Sequence, residues 1–192
     1  MTTHYPKYRN QAGFTLVELL IVAIILSILA AIAVPQFTST TDDAAKAALK
    51  SNLSGIRSSV AMYAQQHGGT FPGAVLSSGG TCTGGSAGTG AADSDTAFKD
   101  QLLYYTNAAG QACSIADVPA GGAVEYPYGP YIKSDIPNNP VSNVGTITVV
   151  IGGNLAMTGA GADGGWRYDT TSGKFIADDT NLDSNGTSYD AY

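Results

Sequence analysis

Apolar positions fall along this chain in three patterns: an unbroken run, a seam at helical spacing, and short β-branched stretches. The run extends from Phe14 to Val34 and holds a single ionisable residue, Glu18. About 21 residues of helix at about 1.5 Å each cover roughly 30 Å, the thickness of a bilayer's hydrocarbon core. A secretory signal has a shorter apolar stretch followed by a small-residue cleavage site, so the run predicts a membrane-spanning helix. Lys7 and Arg9 lie on its short flank with no acid beside them. That asymmetry puts the amino end in the cytoplasm and everything after Pro35 outside.

The seam follows directly. Leu49, Leu53, Ile56, Val60 and Tyr63 recur at steps of four, three, four and three, which lines one face of a helix. Asp42, Asp43, Lys46, Lys50 and Arg57 fall largely off that face, and Gly68-Gly69 supplies a stop. Pro35 has two readings. It either ends the span or sits in a helix that continues with a kink or a local melt. We expect the second, hence one long helix from about Phe14 to His67.

Beyond the helix, 77–93 is nearly all Gly, Ser, Thr and Ala and reads as a loop. Ser94 to Tyr105 predicts a short helix capped by Ser94, with Phe98, Leu102 and Tyr105 on its apolar face. Glu125 to Ile132 and Ile136 to Pro140 are turn-rich. Val144 to Ile151 is a β-branched strand, and Trp166 to Asp169 with Lys174 to Ala177 resembles a hairpin. The expected fold class is α+β: one long amino-terminal helix, its first half in the membrane, packed on a small antiparallel sheet.

Charge and composition remove several function classes. The net charge is −6 with acids scattered after Asp42, so no basic stripe exists to neutralise phosphates and nucleic-acid binding is not expected. No nucleophile elbow, zinc motif or phosphate loop is present, and the chain does not read as an enzyme. His67 stands alone at a helix end, where solvation is the expected state. Tyr126, Tyr128 and Tyr131 offer a sugar-stacking platform on one reading and core or turn packing on the other, which we favour. Cys82 and Cys113 either form a bridge, as an exported domain allows, or are unrelated thiols; geometry decides.

The acidic tail, 178–192, alternates oxygen-bearing side chains at Asp179, Asn181, Asp183 and Asn185. Hard cations such as calcium take six to eight oxygens. Asn181, Asp183, Asn185 and Gly186 match the first, third, fifth and sixth positions of an EF-hand loop, but Tyr192 stands at the twelfth, where a bidentate glutamate belongs. A calcium site and a disordered acidic tail are the two alternatives.

The string Gly13-Phe14-Thr15-Leu16-Val17-Glu18-Leu19-Leu20 resembles the processing signature of type IV pilins and of their relatives, the type II secretion pseudopilins. The resemblance extends over roughly Gly13 to Ala64, with Gln11 and Ala12 in place of a basic residue just before the glycine. It implies cleavage after Gly13 by a prepilin peptidase, which also methylates Phe14, and pairing of Glu18 with the terminal ammonium of a neighbouring subunit. Residues 1–13 are then a leader, 14–35 the span, 36–69 its amphipathic continuation and 70–192 a periplasmic α+β domain. A looser likeness to major pseudopilins lies in Gly129-Pro-Tyr131, Ile136-Pro-Asn-Asn-Pro140 and Gly165-Trp-Arg-Tyr-Asp169. It implies the pilin fold and a calcium site near the carboxyl end.

The expected function is therefore that of a pseudopilin, a subunit of a helical filament that assists protein export across the outer membrane. Self-association, the peptidase and an inner-membrane assembly platform are its expected partners, and the bacterial inner membrane its location before assembly. The alternative within the family is a type IV pilus subunit for adhesion, motility or DNA uptake. A membrane-anchored periplasmic enzyme or binding protein is the alternative from another class, and no residue set in the sequence supports it.

Overall fold

A computed structural model describes residues 13–116, 125–161 and 164–192, with backbone only over 34–40. Most of the expected leader, residues 1–12, lies outside the described residues. Helix α1 covers Leu16–Gln66 and is continuous through Pro35, so that proline does not end the span. The chain divides into two compact units, Met1–Asp43 and Ala44–Tyr192.

In the first unit, Leu16–Ala33 is long and apolar enough to cross a membrane, and none of it is buried. Its large aliphatic side chains are all more than half exposed. Ser27, a hydroxyl within that run, donates to the Ala23 carbonyl at 2.7 Å, so it presents no unmet donor.

The second unit is built on the seam. Leu49, Leu53, Ile56, Val60 and Tyr63 are buried, as the four-three spacing requires, in one cluster with Phe98, Leu102, Ile136, Ile147, Trp166, Tyr168 and Phe175. The helix stops as Gly68 and Gly69 take φ of +63° and +92°. The Gly69 N–H then reaches back to the Ala64 carbonyl at 2.8 Å, which satisfies a carbonyl the helix leaves open. Helix α2, Asp95–Leu103, begins at Ser94, whose side chain accepts from the Ala97 N–H at 3.0 Å.

Strands β1, Tyr105–Thr106, and β2, Ala112–Cys113, form an antiparallel pair. Strands β3, Ile147–Val150, β4, Trp166–Asp169, and β5, Phe175–Ala177, form a three-stranded sheet in that order. The β4–β5 hairpin is antiparallel, with Trp166 opposite Ala177. The wholly antiparallel sheet expected from sequence needs correction here, since β3 and β4 run parallel, with Ile147 opposite Trp166. A parallel pair requires a crossover of a dozen residues or more, and 151–165 supplies that length. Gly165 has no room for a side chain, since a Cβ there falls 2.4 Å from the Thr146 carbonyl oxygen.

Two buried polar side chains fasten the ends of that crossover. Asn139, fully buried, donates to the Gly164 carbonyl at 2.6 Å and accepts from the Val141 N–H at 3.0 Å, so it ties the Ile-Pro-Asn-Asn-Pro turn to β4. Asp169 accepts from the backbone N–H groups of Asn154 and Thr171 at 2.9 and 2.8 Å. Burial raises the Asp169 pKa, but N–H donors from Thr171, Asn154, Gly153 and Gly152 outweigh it and hold the carboxyl below its usual value.

Candidate functional site

The amino-terminal segment carries the residues expected to govern processing and assembly. Gly13 and Phe14 precede α1 and are exposed, Phe14 at 81%. One turn into the helix, Glu18 Oε2 accepts from both the Thr15 N–H and the Thr15 hydroxyl at 2.9 Å. The Glu18 N–H in turn donates to Thr15 Oγ1 at 3.2 Å. This reciprocal pair is a capping box, in which two helix-end donors are met by two side chains three residues apart. Thr15-x-x-Glu18 is the sequence signature of that motif, so the role of Thr15 is legible in the sequence alone.

The expected bridge is present: Cys82 and Cys113 are bonded, with Cα atoms 5.5 Å apart. It joins the Gly/Ser/Thr loop to β2, where the Gly88 N–H also donates to the Ala112 carbonyl at 2.8 Å. Tyr126 is fully buried and donates its hydroxyl to the Thr81 carbonyl, while Tyr131 packs edge-on against Tyr63. The packing account of these tyrosines therefore holds. His67 departs from expectation. It is buried and stacked on Tyr63 with ring centroids 3.8 Å apart, and its Nδ1 lies 2.9 Å from the Tyr63 carbonyl.

At the carboxyl end, the tail closes onto the domain half of α1. Lys46 donates to Ser184 Oγ at 2.8 Å and lies 3.6 Å from Asp183 Oδ2. Lys46 stands one turn before Leu49 on the same seam, which its charge concealed in the sequence. The Tyr192 hydroxyl donates to that same Asp183 oxygen, and Lys50 Nζ sits 4.5 Å from the Tyr192 ring centroid. Arg57 donates through Nε to the Phe175 carbonyl at 2.9 Å and through Nη2 to the Tyr192 carbonyl at 2.7 Å.

The four candidate calcium ligands sit in this loop, and the carboxylates of Asp179 and Asp183 already accept hydrogen bonds. Asp183 Oδ1 accepts from the Asn185 and Thr187 N–H groups at 2.8 Å each. The Tyr192 hydroxyl, the Thr187 and Asn185 amides and the Lys46 charge hold the Asp183 carboxyl down at about 2. Asp179 Oδ1 accepts from both the N–H and the side-chain amide of Asn181, at 2.8 and 2.7 Å. Among the described residues no group of three or more His, Cys, Asp or Glu side chains is placed to hold a metal. Both Asp183 oxygens and one Asp179 oxygen are thus already accepting hydrogen bonds, where a calcium ion takes six to eight oxygens.

Residues 8–34 match the family model for the prokaryotic N-terminal methylation motif. The chain carries the N-terminal methylation motif of the prepilins. It is 44% identical over 55 residues to the type II secretion system core protein G of Pseudomonas aeruginosa, a match covering 29% of this chain and 39% of that protein. It is 46% identical over 54 residues to the type IV narrow pilus major component PilA5 of Thermus thermophilus, covering 28% of this chain and 47% of that one. The chain thus spans less than half the length of these curated relatives. No solved structure matches it.

These distant similarities fall on both the pilin and the pseudopilin branch and do not separate them. The proteins of this family are structural rather than enzymatic. Their motif followed by an apolar helix is that of a chain anchored in the inner membrane before assembly.

Proposed function

We propose that this prepilin is a pseudopilin, a filament subunit of a type II secretion pseudopilus. The observation that carries the reading is the uncovered apolar helix directly behind a processing motif. Leu16–Ala33 buries nothing against its own chain, and such a surface requires lipid first and then sister helices in a filament. Cleavage after Gly13 leaves Phe14 with a new amino group next to Glu18, and the mechanism is assembly, in which that acid and the methylated amine of a neighbour set register. The prepilin peptidase, an inner-membrane assembly platform and further copies of this chain are its partners, and the domain after Pro35 lies in the periplasm. The Gly129-Pro-Tyr, Ile136-Pro-Asn-Asn-Pro and Gly165-Trp-Arg-Tyr-Asp segments favour the secretion branch.

A pilus subunit is the second reading, favoured by the identity with the narrow-pilus component. Intact-mass measurement of the native protein tests the common part: a chain starting at methylated Phe14 is expected, and a Gly13→Ala variant retains the leader. A native chain that keeps residues 1–13 would refute both readings. Deleting the gene separates them, since loss of secreted protein marks the first and loss of surface pili the second.

A further inference from the structure

Among the described lysines and arginines, Lys46 alone is buried, at 7% exposure. An ammonium removed from water is tolerated when a counter-charge and hydrogen bonds replace its hydration. Here they come from the carboxyl tail, as Ser184 Oγ at 2.8 Å and Asp183 Oδ2 at 3.6 Å, the latter side chain fully buried. The other acids of the tail each hold a hydrogen bond of their own. Asp178 Oδ1 accepts from the Ala160 N–H at 2.6 Å and faces Arg167 Nη1 at 3.4 Å, and Asp190 Oδ2 accepts from the Gly159 N–H at 2.7 Å. Asp179 is engaged by Asn181.

A divalent ion that takes both Asp183 oxygens has to displace the Tyr192 hydroxyl and the Asn185 and Thr187 amides, and its charge then meets an ammonium already in place. We propose that the Lys46 ammonium is the resident cation of this tail, so that closure of the tail on α1 does not depend on calcium. The likeness to major pseudopilins implies a calcium site here, and the side chains of this chain substitute an internal positive charge for it.

The test uses the full chain in detergent, melted in calcium chloride and in chelator, with amine labelling of Lys46 and Lys50 read by peptide mass. Equal midpoints are expected, with Lys46 protected and Lys50 labelled in both conditions. Lys46→Met is expected to lower the midpoint by roughly 5 °C or more, since it leaves a buried carboxylate without its counter-charge. A midpoint that rises with calcium overturns the proposal, as does a Lys46 amine that becomes reactive when calcium is added. An unchanged midpoint in Lys46→Met also overturns it. If that variant does not fold, the melts and labelling of the unmodified chain decide alone.

Discussion

Glu18 has two claims on its carboxylate. Within the chain it caps α1 through Thr15, at 2.9 Å to the amide and the hydroxyl; in the filament proposed above it would face the amine of a neighbour's first residue. The two claims separate by substitution. Thr15→Val removes the cap's hydroxyl and leaves the acid, so the start of α1 loosens while filament incorporation persists. Glu18→Ala removes both, so incorporation falls several-fold with cleavage intact. Quantifying cleaved and sheared-filament fractions by immunoblot checks this, and equal incorporation by Glu18→Ala and wild type would disprove the charge pairing. Asp169 provides the residue-scale pH response. Its folded pKa lies below its ordinary value, because backbone amides prefer the ionised form. Its contribution to stability is therefore complete above about pH 4 and is lost as pH falls below that. Denaturant midpoints measured from pH 7 down to about 2.5 should decline less steeply for Asp169→Asn than for wild type, from a lower starting value.

Among the elements, those announced by a repeating pattern were legible. The α1 seam, the Ser94 cap of α2, the Gly68-Gly69 stop and the β4–β5 hairpin all follow from local chemistry that acts within a few residues. The direction of β3 was not legible, because parallel pairing depends on where 151–165 carries the chain and nothing local to Ile147–Val150 encodes that. The burial of Lys46 and His67 was not legible for a related reason. Their burial comes from partners far along the chain, Ser184 and Asp183 for the first and Asn107 for the second. The Cys82–Cys113 bridge is an element-scale device, linking a loop of low packing capacity to β2 across a sequence separation of 31. Chain-entropy arguments put its contribution at about 3–4 kcal/mol. Cys113→Ser should lower the thermal midpoint of the detergent-solubilised chain by roughly 6–16 °C, and limited proteolysis should then cut within 77–93. A midpoint within a degree of wild type would show that the loop is held by its hydrogen bonds instead.

At the scale of the molecule, one chain serves two solvents, and its two units answer to different rules. Residues 44–192 bury Phe98, Trp166, Tyr168 and Phe175 with the α1 seam in a water-excluding core. Leu16–Ala33 buries nothing and exposes every large aliphatic it has. A substitution in the span should therefore harm membrane anchoring and assembly without touching domain packing. Leu26, 59% exposed, lies near the middle of the span. A lysine there costs about 2.5–3.5 kcal/mol on insertion scales, and it also has no carboxylate partner at that depth, unlike an amine placed beside Glu18. Leu26→Lys should thus reduce the membrane-integrated fraction in carbonate extraction and abolish filaments. The domain's thermal transition, followed by Trp166 fluorescence in detergent, should stay within about 2 °C of wild type, since exposed substitutions away from packed sites change stability by only about 0.5 kcal/mol. A transition that drops together with membrane integration would mean that Leu26 supports the core of 44–192, and the exposed helix would lose its standing as the surface reserved for lipid and sister subunits.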